Sequence, residues 1–186
     1  KFSKDQNDPY SEIEFVERTS KITNADGSTV STIRKVTVPV GWSQVAVDIL
    51  AQKYFRKAGV PSQLKKKIEN GVPGWLCRSE EDLEALSKLS KSEQMVGETD
   101  SRQVFHRLAG CWTYWGWKNK CFDNENQALN YYQEMCYMLA SQMSAPNSPQ
   151  WFNTGLNWAY GIGGPAQGHY FFNSETQKIE KSNNAY

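Results

Sequence analysis

The spacing of apolar residues changes several times along this chain, and each change marks an element. Between Glu12 and Pro39, Ile13 and Phe15 fall between acidic residues, and Val30, Ile33, Val36 and Val38 follow. Alternation puts every second side chain on one face of a strand, and Asn24-Ala25-Asp26-Gly27 carries turn chemistry, so the pattern predicts a β-hairpin. Pro39, which cannot donate to a ladder, and Gly41, which relaxes the backbone, end it.

Helical spacing comes next. Ser43 can accept hydrogen bonds from the first amides of a helix whose positions Ala46, Ile49, Leu50 and Tyr54 share one face, and Gly59 and Pro61 stop it. From Ser62 to Gly97 the signal is weak. Leu83, Leu86 and Leu89 support one modest helix, Lys65-Lys66-Lys67 between Leu64 and Ile68 reads as a solvated helical face, and the whole stretch reads as a surface connection.

Two stronger helices follow. Asp100 and Gln103 have capping-box spacing, and Val104, Leu108, Cys111, Trp112 and Trp115 recur on the buried side of the first. Gly110 lies inside it, where glycine costs about 1 kcal/mol, so it reads as a place where a neighbouring backbone comes close. The second opens at Asn124, has Gln127 three positions later, and runs through Tyr131, Tyr132, Met135 and Leu139 to Met143; Pro146 and Pro149 forbid its continuation. Gln150 to Tyr160 is aromatic and irregular, and a loop from Gly161 to Gly168 leads into a short hairpin, His169 to Lys181. The class this predicts is α+β, without internal repeats: a hairpin region over 1–41, a helical region over 42–143, and a loop with a short hairpin over 144–186.

Composition adds limits. Seven Trp, nine Tyr and eight Phe in 186 residues are enough for a core, since a buried aromatic removes roughly 150–250 Å² from water. Lys and Arg number 21 against 20 acidic residues, which leaves no global field to draw nucleic acid or an anionic membrane. No apolar run approaches the ~20 residues that span a bilayer, and the polar start from Lys1 to Pro9 lacks a signal-peptide core, so the expectation is a cytoplasmic protein with neither membrane nor nucleic acid as partner. Cys77, Cys111, Cys121 and Cys136 form no CxxC and read as reduced, mostly structural thiols.

Candidate chemistry is sparse. His106 and His169 belong to no HxxxH or HExxH pattern, so no metal site is expected; His106, beside a buried stripe, reads as a hydrogen-bonded packing residue. Gly161-Ile162-Gly163-Gly164-Pro165-Ala166 matches GxGxxA, but a dinucleotide turn needs a strand before it and a helix after it, and Pro165 and the strand-like His169 to Phe172 favour a plain turn. Trp112, Tyr114, Trp115 and Trp117, near Lys118 and Lys120, could stack bases or sugars as a single-stranded nucleic-acid or sugar-binding module. Helical spacing assigns Trp112 and Trp115 to the core, which leaves Tyr114 and Trp117 for such a surface. The prolines of Ala145-Pro146-Asn147-Ser148-Pro149-Gln150-Trp151-Phe152-Asn153-Thr154-Gly155 restrict the backbone around Ser148, whose hydroxyl either stabilises the turn or recognises a polar ligand.

Taken together, several segments resemble the amino-terminal region of class II, adenosylcobalamin-dependent ribonucleotide reductases. They are Trp42-Ser43-Gln44, Asp48 to Pro61, Gln103-Val104-Phe105, Arg107 to Gly110, Trp112 to Lys118, Ala145 to Leu156, Trp158 to Ile162, Gly164-Pro165 and Gln167-Gly168-His169, all in the family's order. The resemblance covers nearly the whole chain, with Ser62 to Gly97 the least distinctive part.

That resemblance implies a ribonucleoside-diphosphate reductase in which adenosylcobalamin generates a cysteine thiyl radical, the radical takes the ribose 3'-hydrogen, and two further cysteines deliver electrons. It implies that Ser148 contacts the substrate ribonucleotide, a contact contributing about 1 kcal/mol between neutral groups. It also implies that the catalytic cysteines lie beyond Tyr186, so no catalytic residue, metal ligand or cobalamin ligand is expected here. The expected partner is a carboxy-terminal remainder carrying a ten-stranded α/β barrel largely absent from this chain; the complete enzyme is compatible with a homo-oligomer, and this piece alone is expected to be inactive.

Overall fold

Strands β1 (Phe15–Ser20) and β2 (Arg34–Pro39) pair antiparallel, with Phe15 opposite Pro39 and Arg18 opposite Val36, so the predicted hairpin forms. The computed structural model describes residues 2–3, 8–20, 34–164, 170–173 and 176–182; the predicted turn at Asn24 to Gly27, with Val30 and Ile33, lies outside them. Period two sends Val36 and Val38 inward, where both are buried.

Helix α1 (Gln44–Ile49) starts as its sequence requires: the Ser43 hydroxyl accepts from the Ala46 amide at 3.2 Å. It continues as a π-helical turn, Leu50–Tyr54, closed by Phe55 N–H donating to the Leu50 carbonyl at 3.0 Å. The face that meets the core differs from the one read from helical spacing, and the offset already begins in α1 at Val47. Val47, Leu50, Ala51 and Phe55 are buried, whereas Ile49, assigned inward by helical spacing, is 45% exposed.

The stretch from Ser62 to Gly97 is not merely a surface connection. Strand β3 (Val60–Pro61) leads into it, and strands β4 (Leu64–Lys66) and β5 (Ser79–Glu81), helices α2 (Leu83–Ser87) and α3 (Lys91–Gln94), and strand β6 (Met95–Val96) form it; β3 pairs with β6 and β4 with β5. Leu76 and Cys77 within it are wholly buried. Isolated core positions between short pairings leave no period to read. The lysine run is extended rather than helical, and alternation splits it: Lys65 and Lys67 reach Glu80 at 3.7 and 3.9 Å, while Lys66 Nζ lies 4.9 Å over the Trp158 ring and donates to the Cys77 carbonyl at 2.8 Å.

Helix α4 (Ser101–Lys118) is the central element. Asp100 and Gln103 close a full capping box, with Gln103 Oε1 accepting from the Asp100 amide at 2.9 Å. Its Val104, Phe105 and Leu108 join β2 and α1 in one apolar cluster; its Cys111 joins Val60, Leu76, Leu156 and Trp158 in another. Helix α5 (Glu125–Ala140), capped by Asn124, packs antiparallel to α4 and ends three residues before Met143, with Gln142 in the left-handed region at φ 56°. Trp42 Nε1 ties α1 to its end by donating to the Ala140 carbonyl at 2.7 Å.

Gln150 to Tyr160, read as irregular, is mostly helical: α6 (Ser148–Asn153) and α7 (Leu156–Tyr160) meet at Gly155. Each is too short to show a period, and buried Trp151, Leu156 and Trp158 hold them by tertiary contact. Gly161 caps α7, and part of the loop beyond it, Pro165 to His169, lies outside the described residues. Strands β7 (Tyr170–Asn173) and β8 (Lys178–Lys181) pair antiparallel, forming the short second hairpin. The result is a mixed α+β arrangement with no closed barrel among the described residues.

Candidate substrate-facing site at Ser148

Asn147 is the N-cap of α6, Ser148 its first residue and Pro149 its second, where a missing N–H costs nothing because first-turn amides have no partner within the helix. The Ser148 side chain is exposed, and its Oγ lies 2.9 Å from the Tyr54 hydroxyl. The Tyr54 ring stacks on Trp151 one turn along α6, centroids 5.5 Å apart and planes 10° apart. The π-helical turn thus supplies a hydroxyl to meet the serine and a ring to brace the helix that carries it.

Beneath this surface lies a charged hub that the sequence reading did not pick out. Arg107 Nε donates to Glu98 Oε1 at 2.7 Å, with both side chains 0% exposed. The remaining guanidinium nitrogens donate to the carbonyls of Thr154 at 2.9 Å, Trp151 at 2.7 Å and Tyr54 at 3.1 Å. Glu98 in turn accepts from the Tyr160 hydroxyl at 2.8 Å and the Arg56 amide at 2.7 Å. One ion pair therefore joins the π-helical turn, α6 with its cap residue Thr154, and α7. Burial, then the Glu98 charge, raises the Tyr160 pKa, which keeps the phenol a donor. A signal existed: Arg107 interrupts the apolar run Val104, Leu108, Cys111 at a core-facing position, and a charge there requires a buried partner.

Close packing sets the rest of the geometry. Gly155, at φ 83°, passes so near the Arg107 carbonyl that a Cβ would overlap it. Gly110 gives room not to a backbone, as its sequence position suggested, but to the indole of Trp158, whose Nε1 donates to the Leu76 carbonyl at 2.9 Å.

The aromatic platform does not form as its spacing suggested. Trp115, assigned to the core, is 52% exposed. Tyr114 and Trp117, assigned to a surface, are half-buried and engaged: the Tyr114 hydroxyl donates to Glu69 at 2.7 Å and Trp117 Nε1 to the Gly71 carbonyl at 2.7 Å. Residues 69 to 71 cover that side of α4, which helical spacing alone cannot register.

His106 is a packing residue. Its Nδ1 lies 2.7 Å from the Tyr132 hydroxyl and its ring centroid 5.0 Å from that of Trp158; burial, aided by Lys66, lowers its pKa to about 4. His106 is thus held neutral, so its contribution to stability is complete above pH ~6.5, where the unfolded side chain is neutral too, and is lost as pH falls towards 4. The melting temperature should decline over that window, and His106→Gln should flatten the decline; an unchanged profile would count against this. His169 lies outside the described residues. The four cysteines are free thiols, and burial pushes Cys111 and Cys136 up to about 12, where thiolate is scarce.

Comparison with known proteins identifies the lineage. Residues 16–142 match the family described as class II vitamin B12-dependent ribonucleotide reductase. Proteins named vitamin B12-dependent ribonucleotide reductase from Bradyrhizobium diazoefficiens and Agrobacterium fabrum are 59% identical over 96% of this chain and 55% identical over 100% of it. A protein of that name from Streptomyces avermitilis is 30% identical over 79%. The chain spans 14%, 15% and 12% of those proteins respectively. A match over most of the chain, with relatives this similar, places it in the amino-terminal region of the class II, vitamin B12-dependent ribonucleotide reductase family.

Proposed function

We propose that this chain serves ribonucleotide reduction by presenting Ser148 to the substrate, a ribonucleoside diphosphate, at the edge of a site completed by the remainder of a longer reductase. The observation carrying this reading is the exposed Ser148 hydroxyl, fixed by a proline-restricted first turn and reached by the Tyr54 hydroxyl at 2.9 Å. A side chain already held by a neighbour loses little freedom when it meets a ligand. Both hydroxyls can donate and accept, so Tyr54 can turn its proton to suit whichever role Ser148 takes.

In the complete enzyme, adenosylcobalamin would supply the radical chemistry. His106, the one histidine among the described residues, is buried against Tyr132 and Trp158, so no cobalamin ligand is assigned to this chain. What this chain contributes is orientation. No described helix is long and apolar enough to cross a membrane.

In the full-length reductase, Ser148→Ala should raise the dissociation constant for a ribonucleoside diphosphate about fivefold, the loss of one neutral hydrogen bond worth ~1 kcal/mol. Tyr54→Phe removes the same internal bond and leaves the serine in place, so its effect should be smaller. Unchanged affinity in Ser148→Ala, or equal losses in the two variants, would show that the hydroxyl serves the turn alone.

A further inference from the structure

The hairpin of β7 and β8 carries an apolar face that no described element of this chain covers. Cross-strand partners lie on the same side of a hairpin. Phe172 opposite Ile179 and Tyr170 opposite Lys181 therefore share one face, and Phe171 opposite Glu180 and Asn173 opposite Lys178 share the other. The second face is satisfied from within: Asn173 Nδ2 donates to Glu180 Oε2 at 3.1 Å, and the Thr176 hydroxyl donates to the same carboxylate. The first is bare, with Tyr170 68%, Phe172 60% and Ile179 75% exposed. Among the described residues, neither apolar cluster includes a member of either strand. A two-stranded hairpin is marginal by itself in water, and large apolar side chains gathered on one face mark a surface that something else covers.

The length of the family's polypeptide and the size of the face select the cover. The chain spans 14% and 15% of the Bradyrhizobium and Agrobacterium proteins and matches their family's amino-terminal region, so most of their polypeptide follows it. Lys181, which ends β8, is five positions from Tyr186, and the hairpin therefore lies beside the junction with that polypeptide. A second copy is a poorer fit. Three such side chains offer on the order of 400 Å², so two copies face to face would bury about 800 Å², the size of a crystal contact and below the ~1,200 Å² of a stable complex. An attached segment faces no such threshold, because a short linker holds it at roughly millimolar effective concentration. We infer that the face of Tyr170, Phe172 and Ile179 docks in cis on an apolar surface of the reductase polypeptide that follows, and that this contact, more than the strand pairing, holds the hairpin in the complete enzyme. The inference rests on the reading that a longer reductase completes this chain, and is independent of what Ser148 touches.

Hydrogen exchange of the full-length reductase, followed by mass spectrometry on peptides covering both strands, tests it. Docked, the strand amides should exchange at least about a hundredfold more slowly than those of an unstructured peptide. Phe172→Thr/Ile179→Thr should remove most of that protection, although threonine keeps the preference for a strand. Phe171→Thr, on the opposite face, should leave it. The melting temperature of each variant checks that the rest of the enzyme folds. Unprotected amides in the parent enzyme, or equal losses in the two variants, overturn the docking. Protection that falls on dilution assigns the face to a second copy and overturns the contact in cis. Ser148→Ala separates the two readings: a protected hairpin with unchanged nucleotide affinity sinks the Ser148 contact and keeps the docking, whereas an unprotected hairpin with lowered affinity does the reverse.

Discussion

Replacing Arg107 by methionine should cost about 3–5 kcal/mol of folding stability, the range for removing one partner of a buried ion pair. The loss has two parts. Glu98 would keep a buried charge opposed only by the neutral donors Tyr160 and the Arg56 amide, and the carbonyls of Tyr54, Trp151 and Thr154 would lose their shared donor. Since whole domains are stable by only ~5–15 kcal/mol, the variant should sit near the edge of folding. Urea denaturation measures this directly. Glu98→Gln in the same chain should recover part of the loss, because it removes the orphaned charge, and the double-mutant cycle should show strong coupling. A loss below about 1 kcal/mol would mean that the hub is open to water and the burial seen here is wrong. The hub also anchors the C-terminal half of α6 and the turn under Tyr54. The Arg107 variant should therefore become sensitive to proteolysis around Ser148 before it unfolds globally.

Gly110→Ala should destabilise the fold by about 1–3 kcal/mol, although helix propensity by itself favours alanine there by ~1 kcal/mol. The sign is set by packing. A Cβ at 110 would overlap the six-membered ring of Trp158, and that indole cannot retreat without breaking its bond to the Leu76 carbonyl and its contact with His106. Adding Trp158→Phe, which removes the outer ring, should relieve most of the cost of Gly110→Ala measured against that background. If Gly110→Ala raises the melting temperature instead, α4 and α7 are not packed as closely as described.

The elements with long, regular patterns were legible from the sequence: the β1–β2 pairing, the capping box and buried stripe of α4, the start of α5 and the packing role of His106. Each depends on residues near one another in the chain, where spacing and cap chemistry act directly. The site was legible in part. The prolines around Ser148 marked a restricted turn, but the serine's hydrogen-bond partner Tyr54 is 94 positions away, and Glu98 and Arg107 gather groups as far apart as Tyr54 and Tyr160.

Where spacing misled, a distant partner was the cause. The core meets the Val47, Leu50 and Ala51 face, which leaves Ile49 outward, Trp115 and Tyr114 exchanged the environments expected of them because residues 69 to 71 cover one side of α4, and α6 and α7 are helical only because Trp151 and Trp158 are buried by other elements. Local sequence determined where helices and strands begin, which faces are apolar and where glycine and proline interrupt them, since those preferences act over a few residues. Tertiary structure decided which charges are buried together, which aromatics are covered, and that the Ser148 hydroxyl meets Tyr54, because contacts between distant residues exist only once the chain has closed around Arg107.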